Sequence, residues 1–154
     1  MIKYFKIFIF LYFFCNYSFS SEYKNIINKI FSDRKIDSIE GIWVKTYANQ
    51  GPLGCVTMFY KDQEKYYQVH IDKCFVMGSI TGKQKKISKT SYQGESAVYY
   101  YNGKVDWGPS SIKIEDNLNN FSITHDSYNN KFKEKWKRIW PENLQSHNNS
   151  LNNN

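Results

Sequence analysis

From residue 39 onward the chain alternates apolar and polar side chains in short runs, separated at intervals of about ten residues by turn residues. The runs Ile42–Tyr47, Cys55–Tyr60, Tyr66–Ile71, Phe75–Thr81, Ala97–Tyr101, Lys104–Trp107, Ser111–Glu115 and Phe121–Thr124 are rich in β-branched and aromatic residues, as strands are. Asn49–Gly54, Lys61–Lys65 and Asp116–Asn120 fall between them as turns. Asn102-Gly103 is the strongest hairpin signal, because both residues tolerate a positive φ. The polar, Lys- and Ser-rich stretch Lys83–Glu95 reads as a long mobile loop. Ahead of this region, Tyr23, Ile26, Ile27, Ile30 and Phe31 recur at helical spacing, so 21–38 is expected to form an amphipathic helix.

Lys131–Ile139 fits two periods. Phe132, Glu134, Trp136, Arg138 and Trp140 share one parity while Lys131, Lys133, Lys135 and Lys137 share the other, which is strand-like. Phe132, Trp136, Ile139 and Trp140 would also line one side of a helix. Four lysines on strictly alternate positions favour the strand. Pro141 ends it, and the Asn-rich tail 142–154 is expected to be disordered. Eight or nine short strands without a βαβ rhythm make 39–141 a mainly β domain, an antiparallel up-and-down barrel of about eight strands.

The first twenty residues have another character. Lys3 and Lys6 precede the apolar run Ile7–Cys15, and Ser18-Phe19-Ser20 puts small residues where a signal peptidase cuts. The run is shorter than the roughly 20 residues of a membrane-spanning helix. Residues 1–20 are therefore expected to be a secretory signal peptide, and the protein to be periplasmic or secreted. A membrane association follows only if this segment is uncleaved or Cys15 carries a lipid. Removing Lys3 and Lys6 lowers the formal charge of +7 to +5. Nearly all of the basic residues are Lys, with Arg34 and Arg138 the exceptions, and abundant Asn, Ile, Tyr and Phe point to AT-rich codon usage. The charge is thus poor evidence for an anionic partner, and export argues against nucleic acid. Without Cys15, the pair Cys55 and Cys74 is expected to be a disulfide in an oxidising compartment. Buried thiols, or metal ligation with His70, are the rival readings; no metal-ligand spacing supports the latter.

Gly41-Ile42-Trp43 at the head of the first strand, with Arg138 in the last, resembles the lipocalin and wider calycin families. The resemblance implies that Trp43 and Arg138 are architectural: the guanidinium covers the indole where the first and last strands meet. Thr124–Tyr128 holds the letters of the lipocalin Thr-Asp-Tyr motif at a different spacing.

No catalytic constellation is readable. His70, His125 and His147 stand apart, and Glu95, Asp106, Glu115 and Asp116 have no spacing that argues for paired acid–base work. No cofactor is expected, and a binding role is expected before an enzymatic one. The aromatic runs Tyr66-Tyr67 and Tyr99-Tyr100-Tyr101 would place rings on both faces of a sheet, one of them lining an interior. The expectation is a monomeric exported barrel that binds a small apolar or amphipathic ligand. The alternative is a periplasmic protein-interaction module, an inhibitor or envelope-assembly factor. Whether bulky rings fill the barrel decides between them.

Overall fold

The computed structural model describes residues 23–152, apart from Phe75, Tyr101, Tyr128 and Asn129; the expected signal peptide lies outside them. Helix α1 spans 23–31, shorter than the expected 21–38, and is followed by Asp33 in the left-handed region at φ 59°. A left-handed residue just past the last turn is a common helix stop.

Strands β1 (Gly41–Ala48), β2 (Val56–Asp62), β3 (Lys65–His70), β4 (Ile80–Ser88), β5 (Ser91–Tyr99), β6 (Val105–Ile114), β7 (Asn120–Ser127) and β8 (Asn130–Trp140) follow, and α2 is Leu144–Ser150. The strands pair in sequence order, all antiparallel, and β8 returns to β1 to close the barrel. Closure leaves no unpaired sheet edge. The final segment is a strand because its lysines take the outer wall: Lys131, Lys133, Lys135 and Lys137 are exposed while Trp136 and Arg138 are buried. A lysine-bearing outer wall faces water, since a lipid-facing band tolerates charge poorly. Among the described residues no helix is long and apolar enough to cross a membrane.

Four expectations need correction. Lys83–Glu95 is not a loop but most of the β4–β5 hairpin. The run Phe75–Thr81 contributes only the start of β4, at Ile80. Lys104–Trp107 and Ser111–Glu115 merge into the single strand β6, which runs through Gly108-Pro109. A Cβ at Gly108 would sit 1.6 Å from the Asp126 carbonyl oxygen, so only glycine allows β6 and β7 to approach there. The tail 142–154 is not disordered throughout: Asn143 caps α2 through the Ser146 N–H at 2.9 Å, and Leu144 is buried. Asn148 also holds the backbone of Ile36, donating to its carbonyl and accepting from its N–H, both at 3.0 Å.

One end of the barrel is shut. Trp43 and Phe59 pack edge-on against Phe121, which stacks on Trp136, and Tyr66 packs edge-on against Tyr92. Each fully buried ring contributes roughly 2–3 kcal/mol of transfer free energy. Arg138 lies 4.0 Å from the Trp43 ring centre and donates to the carbonyls of Leu118 (2.8 Å), Glu40 (2.7 Å) and Ser38 (2.5 Å). Trp43 Nε1 donates to the Ile39 carbonyl at 2.8 Å, which ties residues 38–40 across this end. Burial lowers the Arg138 pKa to about 9, which still leaves it cationic at neutral pH. Gly41, at φ 126°, permits the turn into β1; a Cβ there would meet the Trp140 carbonyl oxygen at 2.2 Å.

Candidate functional site

The opposite half of the interior is open. A cavity of about 740 Å³ lies inside the wall, within the 300–1,000 Å³ typical of small-molecule sites. Its apolar lining includes Val98 from β5, Ile123 from β7, and Phe132 and Trp136 from β8. Its polar lining comes from Lys45, Gln68, His70, Thr81, Ser96, His125 and Glu134.

Strand parity explains this composition. Lys45 lies two residues beyond Trp43 on the same face of β1, and Glu134 lies two residues before Trp136 on β8. Each points where the barrel rings point. Lys45 Nζ and Glu134 Oε1 are 2.8 Å apart, with side chains 4% and 13% exposed. Glu134 Oε2 accepts a second bond from Trp136 Nε1 at 2.9 Å, and Lys45 Nζ stands 5.1 Å from the Trp136 ring centre. The two charges cancel inside the wall, and each is held by the other.

The histidines enter from β3 and β7. Burial, then the nearby Lys45 charge, pushes His70 down to about 4, against weaker opposing pulls from Asp72 and Glu134. Burial likewise lowers His125, which stacks on Phe132 with ring centres 4.8 Å apart. Both imidazoles are neutral at pH 7 and so act as hydrogen-bonding groups rather than charges. Among the described residues neither His125 Nδ1 nor Thr81 Oγ1 has a hydrogen-bond partner, although His125 is 7% and Thr81 5% exposed. Gln84, deeper in the barrel, donates to the Ser110 hydroxyl at 2.8 Å and to the Glu95 carbonyl at 3.1 Å.

Cys55 and Cys74 form a disulfide, which fastens the β1–β2 loop to the β3–β4 loop. Asp72 braces it, accepting from the Val56 N–H at 2.6 Å and the Cys74 N–H at 3.1 Å. Gln50, Gly51, Pro52 and Lys73 from these loops line the cavity, so the cross-link sits at its mouth. The same loops expose Leu53 (58%), Val76 (69%) and Met77 (60%).

Of the residues singled out in the sequence, Trp43 and Arg138 meet at the shut end, remote in register from the cavity mouth, and Cys55 and Cys74 meet at the rim. His70 and His125, isolated in sequence, line one cavity; His147 lies instead on α2 against Trp140. Glu95, Asp106, Glu115 and Asp116 are not among the cavity's lining residues. Sequence reasoning missed Lys45 and Glu134 as a pair. The available signal was charge on the ring-bearing parity of β1 and β8. No protein-family model matches the chain, nor does any curated protein or solved structure.

Proposed function

We propose that this protein is an exported, monomeric binding protein that holds a small amphipathic molecule in the open half of its barrel. The observation that carries the reading is the cavity of about 740 Å³, lined both by apolar side chains and by buried polar ones. A purely apolar guest would leave His125 and Thr81 facing hydrocarbon, which costs about 1–3 kcal/mol for each unsatisfied polar group. The amphipathic half of the sequence expectation is therefore preferred to the apolar half. Export is supported by the basic, apolar and small-residue layout of residues 1–20 and by the Cys55–Cys74 disulfide. The Trp43–Arg138 contact supports kinship with lipocalin-like barrels.

The test is binding of an uncharged fluorescent naphthylamine probe to the wild type and to Val98→Trp, which fills the wall of the cavity. The wild type brightens and shifts the probe emission, and Val98→Trp loses this with an unchanged far-UV spectrum. Equal binding by both proteins places the probe elsewhere and sinks the reading.

A second reading, a protein-interaction module such as an inhibitor or envelope-assembly factor, is favoured by the exposed Leu53, Val76 and Met77 on the cross-linked loops. Native mass spectrometry of protein purified from its own host separates the two. A retained small molecule supports the first, and a stoichiometric protein partner with an empty barrel supports the second.

A further inference from the structure

We infer that the polar end of the guest is uncharged and carries both a hydrogen-bond donor and an acceptor, as a carboxamide does. The inference rests on the binding role proposed above and adds the chemical class of the ligand.

Charge balance in the cavity comes first. Lys45 is the cation inside the wall and already has Glu134 at 2.8 Å. A carboxylate or phosphate head would compete with Glu134 for the Lys45 ammonium and leave the cavity with an uncompensated negative charge. An ammonium head would compete with Lys45 for Glu134 and leave an uncompensated positive charge. Breaking a buried pair by removing one partner is among the costly changes a protein interior can undergo. Lys73 also lines the cavity, but it is exposed at the rim, where water screens it.

The unpartnered groups supply the second argument. His125 Nδ1 and Thr81 Oγ1 belong to side chains more than nine-tenths buried that line the cavity, and neither has a partner among the described residues. A hydroxyl both donates and accepts, and a neutral imidazole nitrogen does either according to its tautomer. Burial of His125 opposes its protonation, so it does not provide a cation for an acid. Ser96, 3% exposed on β5, adds a further hydroxyl to the lining. These groups match a neutral head that can exchange hydrogen bonds in both directions. Val98, Ile123 and Phe132 on the walls match an aliphatic or aromatic body.

Isothermal titration of the full-length protein with decanamide, decanoate and decylammonium, which share one tail, provides the test. Decanamide binds at least about tenfold more tightly than either ion. Thr81→Val weakens decanamide and removes most of its advantage over the two ions. Glu134→Gln, which frees the Lys45 charge, turns the preference toward decanoate, with near-UV circular dichroism confirming that the barrel stays folded. If an ion binds the wild type as tightly as the amide, the inference is overturned while the binding role stands. If none of the three binds and the probe also fails, the binding role itself falls. The wild-type ranking decides the matter even where a variant does not fold.

Discussion

At the shut end Arg138 lies 4.0 Å from the centre of the Trp43 ring, and in the open half Lys45 lies 5.1 Å from that of Trp136. Both regions bury a cation beside an indole, yet the consequences differ. The guanidinium presents a planar fork of donors, and three carbonyls from residues 38, 40 and 118 take them up. Those carbonyls belong to the segment crossing the barrel base and to the β6–β7 turn, so one side chain fixes two pieces of backbone. Lys45 meets a carboxylate instead, and the cavity it lines also holds His125 Nδ1 and Thr81 Oγ1, which have no partner among the described residues. The first arrangement is complete in itself; the second leaves buried polar atoms without partners among the described residues. A stability optimum would not leave a buried hydroxyl unpaired, which is why the open half reads as a site.

Substitutions at the two ends should therefore act in opposite directions on stability. The largest effect belongs to Arg138→Met. It leaves three buried carbonyls unpaired, and equilibrium urea unfolding should show a loss of about 3–5 kcal/mol. A loss below about 1 kcal/mol would mean that the shut end is no more tightly specified than the open one.

Acidification comes next, because it charges the open half. His70 is held neutral in the fold down to about pH 4, whereas in the unfolded chain it takes up its proton around 6.5. Stability from this group is whole above 6.5, falls as the pH drops from 6.5 towards 4, and then levels off. The total is on the order of 3 kcal/mol. His125 shifts in the same direction and adds to it. At the shut end burial raises the Asp37 carboxyl, but hydrogen bonds from Lys86 and Tyr66 and the charges of Lys86 and Lys61 together hold it below its ordinary value, so it alters the histidines' trend little in this window. Urea midpoints of wild type and His70→Asn compared between pH 7 and 4 should diverge, with the variant flatter. Parallel curves would remove His70 from the account.

The smallest effect carries the opposite sign. Thr81→Val exchanges an unpartnered buried hydroxyl for a methyl of similar shape, and Tm should rise in line with a gain of about 0.5–1 kcal/mol. A fall in Tm would show that the hydroxyl already contributes to the empty fold.

The fold was legible because most strands advertise two distinct faces. The lysines at 131, 133, 135 and 137 gave the last strand its parity, and Asn102-Gly103 marked a hairpin in which Gly103, at φ 80°, donates to the Tyr100 carbonyl. The β4–β5 hairpin was hidden for a physical reason. Its inward positions are Gly82, Gln84, Gly94 and Ser96, with Tyr92 the one ring among them, packed against Tyr66. Strands whose inner side chains are small or amide-bearing show no apolar alternation. The C-terminal helix escaped notice because its order comes from Asn143 and Asn148 bonding to backbone, in a composition that elsewhere means disorder. The site was only half visible. Charge on a ring-bearing parity marks burial, but which charges meet depends on how eight strands close.

The C-terminal helix has a practical consequence. Its amide clasp on Ile36 keeps α2 beside the barrel base, where β8 has already finished, and away from the cross-linked loops. A biotin or a dye attached beyond residue 152 can therefore immobilise the molecule with its mouth turned toward the solution. Surface-based measurements of guest exchange can then be made without obstructing the entrance.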